Sequence, residues 1–86
     1  MSINIPRLPV YTTEEGIKYI NKNLNKLKDW KEIFKFIPRE ILKSKKLRKS
    51  GMTGIFSASL ELSKQGIISM MQKKIFDKIL IKHKND

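Results

Sequence analysis

Eighty-six residues without a cysteine make one small domain, with no disulfide framework, no zinc knuckle, no thiol nucleophile and no room for a catalytic cleft between two domains. A hydrophobic fraction of 40% supports one core, yet the apolar runs are too short to span a bilayer and the amino terminus has no secretory pattern, so a cytoplasmic protein is expected. The formal charge of +11 invites a nucleic-acid partner, but 16 cations are Lys and only 3 are Arg, the better ligand for phosphate and guanine, so any DNA contact is expected to be indirect or weak.

Residues 1–11 carry Pro6 and Pro9 among Ile3, Ile5, Leu8 and Val10 and read as an extended linker or strap, ahead of a domain over 12–82. Thr12 and Glu15 stand at capping-box spacing, and Ile17, Ile20, Leu24 and Leu27 recur every three or four residues, which predicts a first helix over 13–28. Asp29 and Glu32 repeat the capping spacing, and Trp30, Ile33, Phe34 and Ile37 form an aromatic-rich face that predicts a second, short helix ending at Pro38. Its aromatic residues are expected in the core, because they fall at helical spacing with Lys31 and Lys35 outside.

A basic run follows, Lys43, Lys45, Lys46, Arg48 and Lys49, broken by Ile41, Leu42 and Leu47, as a short helix or turn leading into a third helix. That helix is predicted from near Ser44 to Gln65, with Gly66 as a left-handed cap. Gly51 and Gly54 inside it either delay its start or allow a close backbone approach. After Gly66 the apolar period changes to alternation, giving strands over Ile67 to Gln72 and Asp77 to Lys82 joined by Lys73 to Phe76, with 83–86 as a frayed tail. The predicted fold class is mainly α with a small β-hairpin: three helices and a two-stranded antiparallel wing, the winged-helix arrangement.

No chemistry is legible. His83, the single histidine, lies in the polar tail, and Glu14, Glu15, Asp29 and Glu32 are accounted for as helix-start residues. Gly51 and Gly54 are followed by Ile55 and Phe56, not by Lys and a hydroxyl residue, so no phosphate loop is present. No catalytic, cofactor-binding or metal-ligating residue is predicted, no cofactor is implied, and the chain is expected to be no enzyme. At about 100° per residue, Met52, Ile55, Phe56, Ser59, Leu62, Ser63 and Gly66 cluster on one side of the third helix, with Leu60 on the flank nearest Phe56. Ile55, Ser59 and Leu62 are assigned to the core. Phe56 and Leu60 are the candidate partner-binding residues, and Lys64, one turn on, is the candidate for the rim.

The stretch Phe56, Ser57, Ala58, Ser59, Leu60, Glu61, Leu62, Ser63, Lys64, Gln65, Gly66 follows the pattern Phe-x-Ala-x-Leu-Glu-Leu-x-Lys-x-Gly. In this it resembles the carboxy-terminal signature of segregation and condensation protein A, the bacterial kleisin. Asp29, Trp30, Ile33 and Phe34 resemble that family's Asp-Trp-x-x-x-Phe region, so the likeness covers about residues 12–82. It implies a winged helix that binds the ATPase head of an SMC protein in chromosome segregation and condensation, associated with the nucleoid. Other parts of such a kleisin bind the neck of the second SMC subunit and recruit segregation and condensation protein B. Two departures stand out: Phe76, Asp77, Lys78, Ile79 replace Phe-Gly-Asp-Ile, and the amino-terminal and middle regions have no counterpart here. The expectation is therefore a fragment of a longer kleisin or a stand-alone remnant.

Overall fold

A computed structural model describes residues 10–84, so most of the predicted strap, residues 1–9, and the last two residues of the predicted tail lie outside the described part. Three helices, α1 (Thr13–Lys22), α2 (Arg39–Lys43) and α3 (Lys45–Lys64), pack with a three-stranded antiparallel sheet of β1 (Lys31–Glu32), β2 (Ile68–Gln72) and β3 (Ile79–His83). The sheet order is β1-β3-β2. This is a mostly helical α+β fold. It has one strand more than predicted.

Helix α1 begins where the sequence places it, with Thr12 Oγ1 accepting the Glu15 N–H at 3.1 Å, but it ends six residues early. The cause is Asn23. Its side-chain amide donates to the Tyr19 carbonyl at 2.8 Å, the acceptor its backbone amide would need to continue the helix, and that amide turns instead to the Ile20 carbonyl at 3.0 Å. The chain tightens into a 3-10 turn, Leu24–Lys26, which still delivers Leu27 to the core.

The predicted second helix over 29–37 is not formed. Lys31 and Glu32 pair instead with Ile81 and Leu80 of β3, and a 3-10 turn, Ile33–Lys35, follows. An eight- or nine-residue helix is marginal on its own, and ladder bonds to β3 win. Asp29 caps no helix, and Glu32 pairs with Lys35 at 3.7 Å. Ile33, Phe36 and Ile37 are buried, whereas Trp30 and Phe34 are 40% and 37% exposed, so the apolar half of the predicted face is core and its two aromatic residues are at the surface. Trp30 lies under Lys82 Nζ, 6.0 Å from the ring centre, a cation–π contact across the outer sheet face.

The basic segment forms α2 after Pro38, with Ile41 as its buried residue. Ser44 then caps α3, its Oγ accepting the Leu47 N–H at 3.3 Å. Gly54 lies inside α3 because α1 and its lead-in cross there: a Cβ would stand 2.9 Å from Tyr11 Cδ1 and 3.0 Å from the Tyr11 carbonyl oxygen. Helix α3 closes as predicted, with Gly66 at φ +77° and the Ile67 N–H donating to the Leu62 carbonyl at 2.9 Å.

The hairpin pairs Ile68 with His83, Met70 with Ile81 and Gln72 with Ile79. Asp77 and Lys78 belong to the connection, where Gln72 Nε2 donates to the Asp77 carbonyl at 2.8 Å. His83 is not part of a frayed tail, since it ends β3 and donates its N–H to the Leu27 carbonyl at 2.8 Å. The core of Ile20, Leu27, Ile33, Ile55, Leu62, Ile68 and Ile81 sits between α1, α3 and the inner sheet face.

Candidate docking groove between α3 and the hairpin

Helix α3 sorts its apolar residues by side. Ile55, Ala58, Ser59 and Leu62 are fully buried, and the Ser59 hydroxyl is satisfied by donating to the Ile55 carbonyl at 2.8 Å. Phe56 and Leu60 stand on the flank, half-buried and 43% exposed respectively. The structure brings these two together with Met70, Met71 and Ile79 of the hairpin along a groove of about 370 Å³. Lys64 is exposed one turn beyond Leu60 and does not line it.

The groove is apolar with Ser63 and Gln72 as its polar members. Met70, Met71 and Ile79 are not among the partner-binding residues expected from the sequence. The signal was present in the alternation of the first predicted strand, where Met70 shares a face with the core residue Ile68 one step nearer the open end. Flexible thioethers at a surface groove can repack around different partner shapes.

A larger cleft of about 690 Å³ runs past the amino-terminal half of α3, lined by Val10, Tyr11, Thr12, Lys46, Lys49 and Thr53 among others. Residues 1–9 join the described chain at Val10, on its rim. Burial pushes the Tyr11 phenol up to about 12, with Glu15, Tyr19 and Glu40 adding to the effect, and Tyr19 is raised by burial and by Glu40. A phenol that holds its proton more tightly is a poorer acid and is almost never phenolate near neutral pH, so neither tyrosine is poised to abstract a proton. Among the described residues no three His, Cys, Asp or Glu side chains gather to hold a metal, and no helix is long and apolar enough to cross a membrane.

No family model, curated protein or solved structure matches the chain.

Proposed function

We propose that the chain is a winged-helix, carboxy-terminal kleisin domain that docks on the ATPase head of an SMC protein and supplies no catalytic group. Its role is positional. Holding one end of a kleisin on the head lets the partner's nucleotide cycle open or close a compartment around DNA, at the nucleoid, while other parts of the parent kleisin would engage segregation and condensation protein B.

One observation carries the reading: within Phe56 to Gly66, the residues turned inward are core, and the two left on the flank, Phe56 and Leu60, meet the hairpin in an apolar groove. The order α1-β1-α2-α3-β2-β3 supports the winged-helix arrangement, with β1 as a short addition along β3. Calorimetric titration of the chain into an SMC head domain is the test. Leu60→Arg is expected to keep the fold, because Leu60 already reaches solvent, and to weaken binding by about 2 kcal/mol or more, roughly thirtyfold. A stable variant that binds as well as the original removes Leu60 from the interface.

A DNA-binding winged helix is the second reading, and the basic segment favours it. Arg39, Lys43, Lys45, Lys46, Arg48 and Lys49 are exposed along α2 and the start of α3, opposed within that stretch by Glu40 alone. Arg48 is partly committed, donating to the Leu42 carbonyl at 3.0 Å. Ser59 is buried and cannot read bases, and the middle of α3 offers no Arg or Asn. Binding to duplex DNA is expected to be indifferent to sequence and to fall steeply between about 50 and 200 mM salt. Sequence-selective binding that survives the higher salt would favour this second reading over the first.

A further inference from the structure

Strand β2 is an outer strand of the sheet, and the phase of its ladder can be read from two bonds. The Lys84 N–H donates to the Ile67 carbonyl at 3.0 Å, and the His83 N–H points the other way, to the Leu27 carbonyl at 2.8 Å. Bonded and non-bonded pairs alternate along an antiparallel ladder. Ser69 and Met71 therefore exchange bonds with Lys82 and Leu80, while Ile68, Met70 and Gln72 turn their N–H and C=O groups away from β3, toward the open edge. Among the described residues no main-chain bond outside the sheet reaches Met70 or Gln72.

Edges of this kind are usually blunted by Pro, by charge or by a bulge. Over Ile68–Gln72 there is no Pro and no charged residue, and the register runs from Ile68↔His83 to Gln72↔Ile79 without a bulge. The edge of β1 is only two residues long. Met70 and Gln72 of β2, with Ile79 opposite Gln72, line the groove from one sheet face, and Met71 joins them from the other side of β2, so the groove reaches the β2 edge.

We infer that β2 is a docking edge that accepts an extended segment of the partner protein as a fourth, added strand. Alternate apolar side chains of that segment seat on Phe56, Leu60 and Met70, and main-chain bonds to Met70 and Gln72 set its register. Charge selects the occupant. Exposed Lys64 follows the lining residue Ser63 in the chain and exposed Lys73 and Lys74 follow Gln72, against Glu61 and Asp77, so the segment is flanked by Asp or Glu, and a second copy of this chain, itself carrying +11, is repelled. The inference rests on the kleisin reading for the identity of the partner, an SMC head, and adds the mode of docking.

Hydrogen–deuterium exchange on the whole chain, alone and with the SMC head domain, tests it. The Met70 and Gln72 amides are expected to exchange freely in the chain alone and to slow by roughly tenfold or more in the complex. Met70→Pro removes an outward N–H and leaves the bonds to β3 in place, so it is expected to remain folded and to lose roughly tenfold in affinity, more than Met70→Ala loses. If Met70→Pro proves unfolded, the amide exchange of the unaltered chain decides alone. Binding without protection of Met70 and Gln72 overturns the added strand while leaving the kleisin reading intact. Amides already protected in the chain alone also overturn it, since the edge is then taken by the chain itself or by a second copy. Absence of any binding to the head overturns both.

Discussion

The two halves of α3 solve opposite problems. Along its amino-terminal half the chain closes on itself: Ile41 packs on Gly51, and Tyr11 with Gly16 of α1 packs on Gly54, at distances only a residue without a side chain permits. Along its carboxy-terminal half the inward residues are just as buried, but the flank carries two of the larger apolar side chains of the domain, Phe56 and Leu60, beside a groove. Small residues stand where the domain needs contact with itself, and large ones stand where its own core gains little from them. Leaving Leu60 43% exposed forfeits part of the stabilisation that full burial would give, about 1.5–3 kcal/mol for a side chain of that size. A surface leucine alone needs no explanation, but one that joins Phe56, Met70 and Met71 at a groove is economical if the missing cover comes from another protein.

The contrast can be broken most forcefully at Gly54. Gly54→Val places new atoms against the Tyr11 backbone, which cannot rotate away as a side-chain tip can, so α1 and its lead-in must shift. A loss of about 3 kcal/mol or more in urea unfolding is expected, the upper range for overpacking a closed contact. Leu60→Arg, on the other half, is expected to change the same unfolding midpoint little. Equal losses at both positions would mean that the groove is core and that the two halves do not differ.

A smaller effect of opposite sign separates the groove from another exposed apolar feature, the hairpin tip. Phe76 is 99% exposed and sits at φ +68°, a conformation that costs an ordinary side chain roughly 1 kcal/mol or more. Phe76→Gly relieves that strain and loses no packing, so a gain of about 0.5–1 kcal/mol is expected, read as a rise in unfolding midpoint. Binding to the SMC head should persist. A stabilised variant that no longer binds would move the docking point from the groove to the tip.

How much of this was legible follows the same division. The third helix, its Ser44 start, its Gly66 stop and the hairpin were readable because caps, a left-handed glycine and a change of apolar period are local signals, each written in two to five residues. Residues 24–37 misled because their outcome is not local. Leu24, Leu27, Ile33 and Ile37 keep helical spacing, but Asn23 takes the Tyr19 carbonyl, and Lys31 and Glu32 answer to Ile81 and Leu80, some fifty residues away. For the site, Phe56 and Leu60 could be found from one helix wheel. Met70, Met71 and Ile79 could not be placed opposite them until the hairpin was known to fold back along that flank.

An effect confined to high pH belongs to the closed half and reads its burial directly. Tyr11 sits where the lead-in to α1 meets Gly54, with its main-chain N–H donating to Ser50 Oγ at 3.1 Å, and removal from water disfavours its phenolate. In the unfolded chain the phenol ionises near 10, whereas in the folded domain it keeps its proton to about 12. Between these values the unfolded state has released a proton that the folded state still binds, so folding stability falls as pH rises. The contribution is whole below pH 10 and is lost on passing upward through about 12. The informative quantity is the difference between the original chain and Tyr11→Phe, which cannot ionise there. Thermal midpoints measured from pH 9 to 12 are expected to fall less steeply in Tyr11→Phe, with a residual slope from Tyr19, whose phenol is also raised by burial. Parallel curves would mean that the Tyr11 ring is as wet in the folded domain as in the unfolded chain, and that the amino-terminal half of α3 is no more closed than the groove beside Leu60.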